Sequence, residues 1–102
     1  QVLHGAAMSA VNLSEVVAKL QQEDRDEGAI RRALDQLSLT IVPFDEAQAY
    51  ATGLLRNATR SLGLGLGDRA CLALARSMDL PAYTADRAWE SLDVAVKVVI
   101  IR

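Results

Sequence analysis

The sequence predicts an α/β domain built on a parallel sheet. Three observations carry that prediction. Short apolar stretches at residues 5–10 (GAAMSA), 39–44 (LTIVPF), 81–84 (PAYT) and 94–101 (VAVKVVII) read as strands. Between them, apolar residues recur at three- and four-residue spacing, the period of an amphipathic helix. Strands that alternate with helices form βαβ units, which build parallel sheets covered by helices on both faces. The expected arrangement is therefore three layers, with the sheet in the middle. The chain of 102 residues, 51% hydrophobic, suits one small domain spanning residues 1–102 with its own core.

The elements follow in order. The first strand, Gly5 to Ala10, carries small residues suited to tight burial. Ser9 and Asn12 are both candidate helix starts. Asn12-Leu13-Ser14-Glu15 has the form of a capping box, with Asn12 capping and Glu15 reaching back. Leu13, Val16, Val17 and Leu20 then extend a helix to about Gln22. The charged stretch at 21–28 (QQEDRDEG) reads as a solvated turn. A second helix runs from Glu27 to Leu37 through Ile30, Ala33 and Leu34, with Arg31 and Arg32 on its polar side.

The strand Leu39 to Phe44 contains Pro43, which cannot donate to a ladder and belongs at an end or an edge. Asp45 is the expected cap of a third helix, Glu46 to Asn57, with Arg56 and Arg60 flanking its exit. Glycines at 63, 65 and 67 then argue against continuous helix, since each costs roughly 1 kcal/mol there relative to alanine. From Asp68 the helical period returns, placing Cys71, Leu72, Ala75 and Met78 on one face. A strand at Ala82–Thr84, a short helix from Asp86 through Trp89, and the β-branched strand Val94–Ile101 complete the chain.

Composition narrows the function. A formal net charge of −2 argues against a protein that coats nucleic acid by bulk electrostatics, although nine of the eleven basic residues are arginine and local basic patches remain open. With 4% aromatic residues, base-stacking platforms are not a feature. Cys71 is the single cysteine, which excludes an internal disulfide and suits a reducing, cytoplasmic setting. Cys71 and the single histidine, His4, cannot by themselves form a zinc site. The longest apolar run falls far short of the roughly 20 residues that span a bilayer, so no membrane association is expected. No signal-peptide pattern opens the chain.

The candidate site is three acids: Glu15, Asp68 and Asp86. Carboxylates that converge repel one another unless a cation sits between them. Hard oxygen ligands without paired histidine or cysteine suit Mg²⁺ or Mn²⁺. Such a metal polarises a phosphoryl oxygen and generates hydroxide from water. Each acid also has a plainer account, since an acid at a helix start is commonly a cap. Asn12 and Ser9 are caps or neighbours of the site. Thr84 either bonds near Asp86 or ends its strand. Arg69 and Arg87 follow two of the acids and are candidates for RNA phosphate contacts at the rim, or for surface solubility or an ion pair. The run G-L-G-L-G follows a helix and a polar turn rather than a strand, which argues against a dinucleotide fingerprint. His4 reads as a surface residue, Cys71 as a small core residue and Trp89 as a core anchor.

Three stretches, SAVNLSEVVAKL, VPFDEAQA and GLGLGDRACLALARSMDLPAYTADRAW, in that order and spacing, strongly resemble the PIN-domain family. The likeness covers essentially the whole chain and is greatest to the toxins of bacterial type II toxin–antitoxin modules, the virulence-associated protein C group. The resemblance implies a metal-dependent RNA endonuclease, inhibited by a cognate antitoxin and commonly a homodimer. It implies that Glu15, Asp68 and Asp86 are the family's acids, with Ser9, Asn12 and Thr84 at the polar positions beside them. Asn12 would support Glu15, and Thr84 would orient Asp86 or a metal-bound water. One departure stands out. The family begins with a strand that ends in an aspartate, the first acid of its site, and nothing in this chain matches it. The expectation is a domain whose first strand lies outside the chain.

Two further readings stand beside the ribonuclease. A catalytically dead PIN remnant would keep only dimerisation or antitoxin binding. A receiver-like signalling domain would also use a parallel sheet and an acidic pocket, but Lys97 lies inside the last strand rather than after a late one.

Overall fold

The computed structural model describes residues 6–84 and 98–100. The chain divides into two compact units, Gln1–Pro43 and Phe44–Arg102.

In the first unit, strand β1 (Ala7–Ser9) leads directly into helix α1 (Ala10–Gln22). Ser9 holds an extended backbone and its side chain accepts a hydrogen bond from the Val11 N–H at 3.2 Å. Ser9 is therefore the cap, satisfying one of the donors a helix start leaves open. No loop separates strand from helix, so the helix begins ahead of Asn12. The expected capping box does not form: Asn12 and Glu15 lie within the helix body.

The chain turns through Asp24 and Asp26 caps helix α2 (Glu27–Asp35), accepting from the Ala29 N–H at 2.8 Å. This helix ends two residues before the expected Leu37, in a turn that closes at Ser38. Strand β2 (Thr40–Val42) is the inner part of the expected 39–44 stretch, with Pro43 just past its end. It pairs parallel with β1, in the register Ala7↔Thr40, Met8↔Ile41 and Ser9↔Val42. Parallel pairing needs a crossover, which α1 and α2 provide, and α1 packs on both strands and on α2.

In the second unit, Asp45 caps helix α3 (Glu46–Leu54), accepting from the Gln48 N–H at 2.9 Å. The helix stops short of the expected Asn57. The chain turns instead, and the buried Thr59 hydroxyl donates to the Leu55 carbonyl at 2.9 Å. A single 3₁₀ turn (Arg60–Leu62) ends at Gly63, whose φ of +62° is left-handed.

Helix α4 (Leu66–Ser77) starts two residues before Asp68, with Gly67 buried inside its first turn. Burial of that turn overrides the low helical propensity of glycine. Residues Ala70 and Leu72 to Ala75 are all buried, so the helix is enclosed on more than the one face its spacing suggested. Met78 lies past the helix end and is exposed. Leu55, Leu72, Ala73, Ala75 and Ala82 form the core, joined by Ala51, Leu62, Leu64 and Cys71. The alanines of α4 let its backbone approach its neighbours closely.

Helices α3 and α4 pack as an antiparallel pair tied at both ends. Gln48 near the start of α3 donates to Ser77 Oγ at 3.1 Å, and Arg69 in the first turn of α4 donates to the Thr52 carbonyl at 3.2 Å. Past α4 the Leu80 N–H returns to the Ala75 carbonyl at 2.9 Å, with Asp79 left-handed at φ 53°. Asp24 and Ser38, in the turns after α1 and α2, are left-handed too, at φ 64° and 53°.

Strand β3 (Ala82–Thr84) forms as expected and packs against α4. It pairs parallel with β4 (Val98–Ile100), the described part of the 94–101 stretch, in the register Ala82↔Val98 to Thr84↔Ile100. The expected helix at Asp86–Trp89 lies outside the described residues. Among the described residues the architecture is thus α/β, with parallel strand pairs and four α-helices. No helix among the described residues is long and apolar enough to cross a membrane.

Candidate functional site

Glu15 is in the second turn of α1, with its side chain exposed to solvent. Asn12, one turn earlier, donates from Nδ2 to Glu15 Oε1 at 3.4 Å. That distance is at the long end for a hydrogen bond, so it orients the carboxylate without immobilising it. A carboxylate held by an amide donor on one oxygen keeps the other free to bind a cation.

Asp68 is the third residue of α4 and is exposed. Its first-turn position puts a carboxylate near the open N–H groups of the helix, where negative charge is favoured. The cap residue, Gly65, contributes no side-chain hydrogen bond of its own. The Asp68 charge also reaches Cys71, one turn on. Burial first, and the Asp68 carboxylate second, hold the Cys71 thiol above its ordinary pKa. Cys71 is half-buried against the core, as its place in the pattern suggested.

Thr84 is the last residue of β3. Asp86, with Arg87, Trp89 and His4, lies outside the described residues. Ser9 is accounted for as a cap and is buried, so it is not an open ligand. Among the described residues no three acids, histidines or cysteines cluster in a way that could hold a metal ion. The structure therefore brings together Asn12 with Glu15, and Asp68 with Cys71. A third carboxylate for the expected set would come from Asp86.

Arg69 departs from its expected place. Expected from sequence to contact RNA phosphates, or to serve surface solubility or an ion pair, it is half-buried, and its Nη1 donates to the Thr52 carbonyl of α3. The signal was present in the spacing, since Leu72 and Ala73 follow Arg69 at three and four residues and both are buried.

A groove of about 580 Å³ runs along α1 and α2 in the first unit. Its floor is apolar (Leu13, Val17, Ile30, Leu34) and its rim mixes Arg25 and Arg31 with Asp26 and Glu27. Glu15 is not part of it, and Arg31 is already paired with Glu27 at 2.8 Å. The groove is not an acidic pocket.

The family model described as PIN domain matches residues 2–95 of the chain. Neither the curated proteins nor the solved structures give a match.

Proposed function

The chain belongs to the PIN-domain family, a family of nucleases often found in toxin–antitoxin modules, and we propose that it is a metal-dependent endoribonuclease of the toxin kind. The family match over residues 2–95 carries this reading.

The donor chemistry fits the metal. Glu15 and Asp68 are exposed carboxylates on helix surfaces, and hard oxygen donors of that kind suit Mg²⁺ or Mn²⁺. Asp86 would supply the third carboxylate. When bound, the metal supplies Lewis-acid activation of a phosphoryl oxygen and of water. The chain's own residues do the rest. On this reading Glu15, Asp68 and Asp86 would supply the carboxylate ligands, Asn12 would orient Glu15 through Oε1, and Thr84 would act beside Asp86. With a net charge of −2, RNA is held by local contacts at the site rather than by the field of the whole protein.

The same reading includes a three-layer arrangement of sheet and helices, a cognate antitoxin, a homodimer and a cytoplasmic location. The test is RNA cleavage by the full-length protein with and without Mg²⁺. Asp68→Asn is expected to abolish cleavage while leaving the circular dichroism spectrum unchanged, and saturable Mg²⁺ binding is expected to disappear in Asp86→Asn. Wild-type cleavage by Asp68→Asn would remove Asp68 from the metal site. Absence of Mg²⁺ binding by the wild type at millimolar concentrations would favour a binding module that has lost its chemistry.

A further inference from the structure

We propose that Arg69 is a positioning residue for Asp68, clasping the first turn of α4 to the end of α3 so that the neighbouring carboxylate is held in one place. The inference rests on the reading of Asp68 as a metal ligand.

The first turn of α4 is weakly held by its own sequence. Gly65 caps it without a side-chain hydrogen bond, Gly67 sits inside it, and Gly63 precedes it in a left-handed turn. Left to its local sequence alone, such a turn would sample several positions. Arg69 opposes this. Its Nη1 donates to the Thr52 carbonyl at 3.2 Å, seventeen residues back in the chain. That carbonyl belongs to the last turn of α3, where it also accepts from the Leu55 N–H at 3.3 Å and where a cation is favoured. Thr52 is itself 1% exposed, so the anchor point does not move with solvent. At the far end of the same helix pair, Gln48 and Ser77 close the second tie. With both ends fixed, the backbone at residues 66–69 follows α3.

The contact is not explained by stability alone. Arg69 Nε is buried among the described residues with no hydrogen-bond partner, as is Thr52 Oγ1. An orphaned buried donor costs about as much as a charge-assisted hydrogen bond returns. The net gain in stability is therefore small, and what the arginine contributes is geometry at the residue beside it.

The test uses the full-length protein with three variants, Arg69→Met, Arg69→Lys and Asp68→Asn. Two quantities are measured: Mn²⁺ affinity by electron paramagnetic resonance, and amide hydrogen exchange at residues 66–70. Arg69→Met retains the apolar stem and loses the donor. It is expected to speed exchange at residues 69 and 70 and to weaken Mn²⁺ about tenfold, the lower end of the range for residues that orient metal ligands. Arg69→Lys keeps one donor within reach and is expected to restore both. Unchanged exchange in Arg69→Met overturns the clasp. Faster exchange with unchanged Mn²⁺ affinity, where Asp68→Asn abolishes binding, overturns the positioning role. Full Mn²⁺ binding by Asp68→Asn overturns the metal reading itself, and the inference falls with it.

Discussion

Asn12 and Glu15 stand one turn apart on α1, joined from Nδ2 to Oε1 at 3.4 Å. Both groups are at the surface of the helix, so the contact contributes little to stability, at most about 0.5 kcal/mol for an exposed pair of this spacing. Its effect is on where the carboxylate points. Asn12→Ala is expected to leave the melting temperature within experimental error and to lower Mg²⁺ affinity several-fold. Glu15→Gln is expected to lower it further. Isothermal titration calorimetry separates the two, and equal affinity in wild type and Asn12→Ala would remove Asn12 from any supporting role.

Two glycines predict opposite signs for the same substitution. Gly53 is inside α3 and an added Cβ there meets nothing within 4 Å. Gly53→Ala is expected to stabilise by about 0.5–1 kcal/mol through helix propensity. Gly63 also has open space around a Cβ, but its φ is +62°. Gly63→Ala is expected to destabilise by roughly 1 kcal/mol, because an L side chain resists that conformation. Urea denaturation of both variants provides the check, and two shifts of the same sign would contradict it.

The Asp45 cap gives a third expectation. Its Oδ1 accepts from the Gln48 N–H at 2.9 Å at the start of α3. Asp45→Ala is expected to cost about 1 kcal/mol and Asp45→Asn much less, since the amide oxygen still accepts. Thermal melts should rank the three proteins in that order, with the alanine variant several degrees below wild type.

Cys71 supplies a pH prediction. Its thiol is held above the ordinary range by burial and then by the negative charge of Asp68. The thiolate is the nucleophile, so a raised pKa means less of it at any given pH. Reaction with a disulfide reagent at pH 8 should be slower than for free cysteine, with the rate profile displaced to higher pH. Asp68→Asn removes one of the two causes and should speed the reaction. A rate equal to that of free cysteine would contradict the assignment.

Local chemistry made much of this fold legible. Asp45 was readable as a cap because the interaction is complete within four residues, and β3 because Ala82-Tyr83-Thr84 follows Pro81, past the end of α4. Parallel pairing followed from the alternation of strands and helices. The start of α4 was not readable, since Gly67 is helical only because packing encloses it. The start of α1 was obscured by two competing caps, and geometry chose Ser9 because the strand runs into the helix without a loop. For the site, the first-turn position of Asp68 and the proximity of Asn12 to Glu15 were accessible from spacing. The inward turn of Arg69 is marked in the sequence only by the apolar residues Leu72 and Ala73 three and four places on, both of which are buried.

Three turns leave room for engineering. Asp24, Ser38 and Asp79 each carry a left-handed backbone after a helix, a conformation that glycine adopts freely and other residues resist. The chain thus folds with unspent headroom at three helix exits. Glycine at all three is expected to raise resistance to urea, with about 0.5 kcal/mol from each turn, since glycine's greater freedom in the unfolded chain offsets part of the relief. None of the three carries a residue of the candidate site, so a hardened nuclease scaffold could be built from these exits while the acids are left in place.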